Sequence, residues 1–220
     1  MAKNDLPLKE VSIDELFMSG ETSVYEIPIY QRNYAWEKEE IDALIQDVYD
    51  AFKKSQKNVY YIGTLVSYHK GDRIFEIIDG QQRLTTISLI LGAFGLAAKN
   101  RLTYRARKRS DDTLKSIPVF DVEEKDSGIE NGFRYAQNAL NELVPKSEKS
   151  EFEKYFRSSV HIIHYRVPKD IDLNHYFEIM NSRGEQLEKH EIVKANLMER
   201  LGSDSERRLF NIIWESCSEM

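Results

Sequence analysis

Apolar side chains recur at Ile41, Leu44, Ile45, Val48 and Phe52, the spacing of one helical face, between acidic Glu39 and Glu40 and basic Lys53 and Lys54. That charge order complements the helix dipole and predicts an amphipathic helix over 38–54. Val59 to Tyr68 is rich in β-branched and aromatic residues, Lys70, Gly71 and Asp72 supply a turn, and Ile74 to Ile78 resumes the pattern, so the two runs predict a hairpin. Gly63, inside the first run, marks a bulge or a close approach. Asp79 and Gly80 break the second strand. Leu84 to Ala98 follows as an almost wholly apolar, buried helix in which Gly92 and Gly95 allow close packing. Val24 to Ile29 predicts one more short strand, with Pro28 at an edge or at the strand's end because proline cannot donate to a ladder.

The second half changes character. Six of the eleven residues from Lys99 to Arg109 are basic, and Ser110 to Gly128 has mixed polarity, holds Pro118 and sustains no period. A boundary is placed near residue 105, dividing residues 1–105 from a mainly helical part, 106–220. Helices are expected around 129–144, 148–157, 172–181, 188–201 and 205–216, with a short strand from Val160 to Arg166. The fold class predicted is α+β, a small mixed sheet with packed helices followed by a mainly helical subdomain. No internal repeat is visible.

The 220 residues suit one large domain or two small ones, and 41% hydrophobic with 31% charged residues is a composition that folds. The net charge of −6 repels a phosphate backbone, so any nucleic-acid contact must be local. Cys217, the only cysteine, excludes an internal disulfide and a multi-cysteine zinc site. The longest uncharged stretch, Leu84 to Ala98, is shorter than the roughly 20 residues of a membrane helix. With no hydrophobic leader at the N-terminus, the expected location is the cytoplasm.

Three segments combine polar chemistry with breaks in secondary structure. The first is Ile77-Ile78-Asp79-Gly80-Gln81-Gln82-Arg83-Leu84-Thr85-Thr86, a strand, a glycine turn and a helix start. The first amides of a helix lack intrahelical partners and lie at its positive end, so they suit an anion, with Gly80 allowing close approach, Arg83 offering a planar fork of donors and Thr85 or Thr86 a hydroxyl. The alternative is that Asp79 caps the helix and Gln81, Gln82 and Arg83 form a solvated first turn. The second is Ile27 to Trp36, where Tyr30, Tyr34 and Trp36 are either rings that stack a base or half-buried core, and Gln31 and Arg32 suit phosphate or base edges. The third is Phe177 to Leu187, in which Gly184 ends a helix and Asn181 and Arg183 face a shared cleft, unless the segment is an ordinary connection between helices. Among the histidines at 69, 161, 164, 175 and 190, His161 and His164 lie three apart on a predicted strand and so on opposite faces, which disfavours a shared metal.

At these segments the chain resembles the N-terminal domain of GmrSD-type, modification-dependent type IV restriction enzymes and their relatives in phage defence, grouped with the ParB and sulfiredoxin fold. The matching patterns are Ile-Pro-x-Tyr-Gln-Arg-x-Tyr-x-Trp on Ile27 to Trp36, Tyr-x-Gly-x-Leu on Tyr61 to Leu65, Asp-Gly-Gln-Gln-Arg-x-Thr-Thr on Asp79 to Thr86 and Asn-x-Arg-Gly-x-x-Leu on Asn181 to Leu187. The resemblance implies a nucleoside triphosphate-binding and hydrolysing regulatory domain, with residues 1–105 as its ParB/sulfiredoxin-like nucleotide-binding part and 106–220 completing the cleft. Asp79, Gln81, Gln82 and Arg83 would be catalytic, and Tyr30, Gln31, Arg32, Gly80, Thr85, Asn181 and Arg183 would bind nucleotide with Mg²⁺. It also implies modified DNA as a partner, for which Arg105, Arg107, Lys108 and Arg109 are the candidate contacts. No His-Asn-His pattern follows residue 187, so the nuclease is expected beyond this stretch of chain or on a separate one. The rival expectations are a non-hydrolysing nucleotide- or DNA-binding switch that controls a partner nuclease, and a purely structural interaction domain.

Overall fold

The computed structural model describes residues 7–19, 23–96, 98, 101–168, 197–198 and 201–218. Its strands are β1 (Leu8–Ser12), β2 (Val24–Glu26), β3 (Tyr60–Gly71), β4 (Ile74–Asp79), β5 (Leu102–Thr103) and β6 (Val160–Val167). The helices are α1 (Lys38–Lys54), α2 (Gln81–Ala93), α3 (Lys108–Lys115), α4 (Ser127–Leu143), α5 (Lys149–Ser158) and α6 (Asp204–Ser218), and a π-helical turn (Asp14–Met18) follows β1. The strands form one mixed sheet in the order β1-β6-β3-β4-β2-β5. The fold is α+β, as expected.

The predicted hairpin is β3 and β4, antiparallel and joined by a two-residue turn at Asp72 and Arg73, both with positive φ. Such a turn matches the right-handed twist of its strands. β6 comes from the half of the chain expected to be mainly helical, yet it lies between β1 and β3, parallel to β3 and antiparallel to β1. Both sides of residue 105 thus contribute to one sheet and one core. That core gathers α1, α2, α4 and α5, and α2 carries buried residues along almost its whole length. Leu65 faces this core, while its neighbour Val66 joins Ile78 and Val167 in a second, smaller cluster with Tyr30, Tyr68 and Tyr165. Alternation along β3 accounts for the two clusters.

Two expected elements differ in extent. β2 ends at Glu26, before Pro28. α2 stops at Ala93 instead of Ala98 because Gly95 takes a φ of +81°. The Gly95 N–H then donates to Gly92 O at 2.9 Å and the Leu96 N–H to Leu91 O at 2.9 Å, the paired bonds of a left-handed helix stop. Gly92 does pack closely, since a Cβ there would stand 2.3 Å from the Ile117 side chain, but nothing lies within 4 Å of one at Gly95. β1, the π-helical turn, β5 and α3 lie outside the elements that the sequence pattern predicts. The helices expected at 172–181 and 188–201 lie outside the described residues, except that Leu197 and Met198 are helical.

Candidate functional site

The end of β4 and the start of α2 build the site. Gly80 is the N-cap of α2 with a φ of +96°, a left-handed conformation that side chains rarely adopt. A Cβ at that position would stand 3.0 Å from the Thr64 carbonyl oxygen of β3. Gly80, as the N-cap, has no side chain with which to cap the helix, and Asp79, just before it, is the last residue of β4 and half-buried. The first amides of α2 lie at the positive dipole end that an anion uses.

Arg83 stands beside them. Its guanidinium packs on the backbone of Gly63, where a Cβ would meet Arg83 Cζ at 3.0 Å, and its Nη1 donates to Thr64 O. Gly63 has a φ of +125° and breaks the β3–β6 register between Tyr61 and Thr64. It is therefore both the bulge and the close approach that the sequence suggested.

The two glutamines serve the neighbouring loop. Gln82 donates from Nε2 to Asn33 O and accepts on Oε1 from the Ala35 N–H, both at 2.9 Å. Gln81 donates from Nε2 to Arg32 O at 3.0 Å, and its Oε1 is enclosed in protein. The Thr85 hydroxyl is fully buried, donating to Gln81 O at 2.9 Å and bonding the Tyr104 hydroxyl at 2.7 Å. Thr86 repeats the arrangement, bonding Gln82 O at 3.0 Å and the Tyr34 hydroxyl at 2.8 Å. Burial drives the phenol pKa values of Tyr34 and Tyr104 far above their ordinary range, so both stay protonated. Tyr34 is core, the second of the two readings of these rings, and Trp36 packs against the same core half-buried.

Gln31 is 4% exposed and donates to Ile78 O at 2.7 Å, which ties the loop to β4. Tyr30 is half-buried on the other face of the sheet and donates to Glu76 Oε1 at 3.0 Å. Lys70 bridges Glu76 at 2.7 Å and Glu26 at 3.0 Å, and Arg105 reaches Glu26 at 3.5 Å. Burial of Lys70 works against its charge, but Glu76 and then Glu26 outweigh it and raise the ammonium's pKa. Sequence reasoning missed this cluster, although two glutamates inside apolar strands were a signal. Arg32 is exposed, and so are Arg105, Lys108 and Arg109, whereas Arg107 is buried. Arg109 donates to Lys125 O at 2.6 Å. His161 and His164 do point to opposite faces of β6: His161 pairs with Glu10 at 2.6 Å, and His164 is buried against Ser67. Asn181 and Arg183 lie outside the described residues.

A glycine-led helix start, a guanidinium laid over a glycine beside it and a loop bolted on by two glutamines thus converge from the three motifs that lie within the described residues. The family model of the GmrSD restriction endonuclease, N-terminal domain, matches residues 13–198. The chain belongs to that family. A search of curated proteins finds no match. As a GmrSD N-terminal domain, the chain is a module of a restriction system, the class of machinery that defends against foreign DNA. The matched range holds every element from the π-helical turn to β6 and leaves β1 and α6 outside or at its edge. Among the described residues no helix is long and apolar enough to cross a membrane.

Proposed function

We propose that this GmrSD N-terminal domain binds and hydrolyses a nucleoside triphosphate at the start of α2 and so regulates DNA cleavage by a nuclease domain or subunit. The observation that carries this reading is the helix start itself, with a left-handed Gly80 drawn against β3 and Arg83 held alongside. The amides of Gln81, Gln82 and Arg83 and the guanidinium of Arg32 would hold phosphate oxygens of the bound triphosphate, and the guanidinium of Arg83 would neutralise charge as it develops on the transferred phosphoryl group. Attack of water on the terminal phosphorus forms one P–O bond and breaks the bridging one. The products are nucleoside diphosphate and inorganic phosphate, with the water's protons passing to phosphate and solvent.

Both polar atoms of the Gln82 amide are engaged by the loop, and Gln81 Oε1 is enclosed. Asp79, next to the N-cap, would orient the water. Mg²⁺ would arrive with the triphosphate and supply positive charge to the phosphate oxygens. Asp79 offers one carboxylate, and because Mg²⁺ keeps several waters and needs few protein carboxylates, the absence of a group of three or more metal-ligating side chains among the described residues does not count against it.

Arg83→Ala tests the reading. Phosphate release should fall at least about a hundredfold, by analogy with loss of one transition-state donor, and calorimetric titration with triphosphate and Mg²⁺ should lose its heat. Unchanged turnover would remove Arg83 from the mechanism. A wild-type chain that binds triphosphate without releasing phosphate would instead be the non-hydrolysing switch.

A further inference from the structure

Arg107 belongs by sequence to a basic run, yet it behaves unlike its neighbours. Arg105, Lys108 and Arg109 are exposed, whereas Arg107 is 9% exposed and its guanidinium turns inward onto the Ile29–Arg32 loop. Nη2 donates to Ile29 O at 3.2 Å and to Gln31 O, and Nη1 donates to Arg32 O at 3.3 Å. A planar fork reaches three carbonyls at once, which an ammonium at a single point does not.

The Arg32 carbonyl is shared, because Gln81 Nε2 donates to it at 3.0 Å. The first residue of α2 and Arg107 therefore grip one peptide group. The side chain that leaves this gripped residue is the exposed guanidinium of Arg32. The same loop continues to Asn33 and Ala35, held by Gln82. Burying a guanidinium costs several kcal/mol unless its donors are met, and here Nη1 and Nη2 are spent on the backbone that carries Arg32.

We propose that Arg107 is a positioning residue of the triphosphate site and acts through Arg32. The proposal rests on the hydrolytic reading above. It removes Arg107 from the surface that DNA can touch and leaves Arg105, Lys108 and Arg109 there.

The test compares the full chain with Arg107→Lys, Arg32→Ala and the double variant, measuring phosphate release against triphosphate concentration with Mg²⁺. Arg107→Lys should raise KM about tenfold with kcat within about twofold, the signature of lost ground-state binding. In the Arg32→Ala background the same change should add less than about twofold, because both substitutions remove one interaction. A full tenfold added rise there would overturn the proposal, since a general loss of stability adds equally in both backgrounds. Amide exchange gives a second readout: protection of the Ala35 N–H should fall in Arg107→Lys without nucleotide, and unchanged protection would overturn the clamp. Arg107→Gln replaces the lysine variant should that chain not fold. A wild-type chain that neither binds nor cleaves any triphosphate overturns the hydrolytic reading itself, and the Arg32 role with it, while the exchange measurement separately decides the clamp.

Discussion

Gly63 shows how much one missing side chain can organise. A Cβ there would collide with Arg83 Cζ at 3.0 Å, and a φ of +125° is unfavourable for any residue but glycine. Gly63→Ala should therefore cost about 1–3 kcal/mol in urea unfolding and lower phosphate release toward the level of Arg83→Ala. Full retention of turnover would mean that the seat of Arg83 on the bulge is immaterial. Gln82→Ala makes a different prediction. It leaves the Asn33 carbonyl and the Ala35 amide without their partner, so stability should drop by roughly 2–3 kcal/mol, with destabilisation of the loop rather than a specific block of the chemical step. The hallmark motif was legible as a unit, but its division of labour was not. Gly80 and Arg83 lie at the helix start and against β3, whereas Gln81, Gln82, Thr85 and Thr86 are spent on internal bonds that no local pattern reveals.

Helices and strands were legible where apolar periodicity was strong. α1 matches its expected span because five apolar residues share one face and the terminal charges agree with the dipole. α3 was invisible for the opposite reason: it spans eight residues, and of its three buried residues Ser110 and Thr113 are polar. β1 was missed because its order comes from pairing with β6, more than a hundred residues away. Helix packing adds a constraint of its own at Gly132 of α4. A Cβ there would stand 2.6 Å from the Tyr34 ring and 2.8 Å from Leu89 of α2. Gly132→Ala should cost about 1–3 kcal/mol by overpacking, read as a lower thermal midpoint. A midpoint equal to wild type would show that α4 has room to shift.

The assembled sheet encloses a titratable group that bears on the stability of the entire chain. His164 sits in β6 between β1 and β3, its Nε2 2.7 Å from Ser67 Oγ and its ring against Tyr25 and Phe75. Burial first, then the charges of Arg166 and Lys9, push its pKa down to about 3. The unfolded chain takes up this proton near the ordinary value of 6.5 and the folded chain does not, so stability must fall as pH drops from about 6.5 toward 3. Between pH 7 and pH 5 the loss attributable to His164 is about 2 kcal/mol. Urea unfolding at the two pH values should show it, and His164→Leu should flatten that part of the dependence whatever it does to absolute stability. DNA association belongs to the same level, because the net charge of −6 makes it a local affair. Alanine at Arg105, Lys108 and Arg109 together should shallow the log–log salt dependence by up to about 3, at roughly 0.9 per phosphate contact. An unaltered slope would clear that surface.

Periodicity, glycine breaks and the order of charges were enough to establish the amphipathic α1, the β3–β4 hairpin, the buried α2 and the glycine-led helix start, because each depends on residues within a few positions of one another. Folding decided the rest. Only when β6 enters between β1 and β3, and the Ile27–Trp36 loop closes onto α2, does it emerge which arginine faces outward and which is consumed by carbonyl groups, since burial and hydrogen-bond partnership at Arg32, Arg83 and Arg107 are set by neighbours distant in sequence.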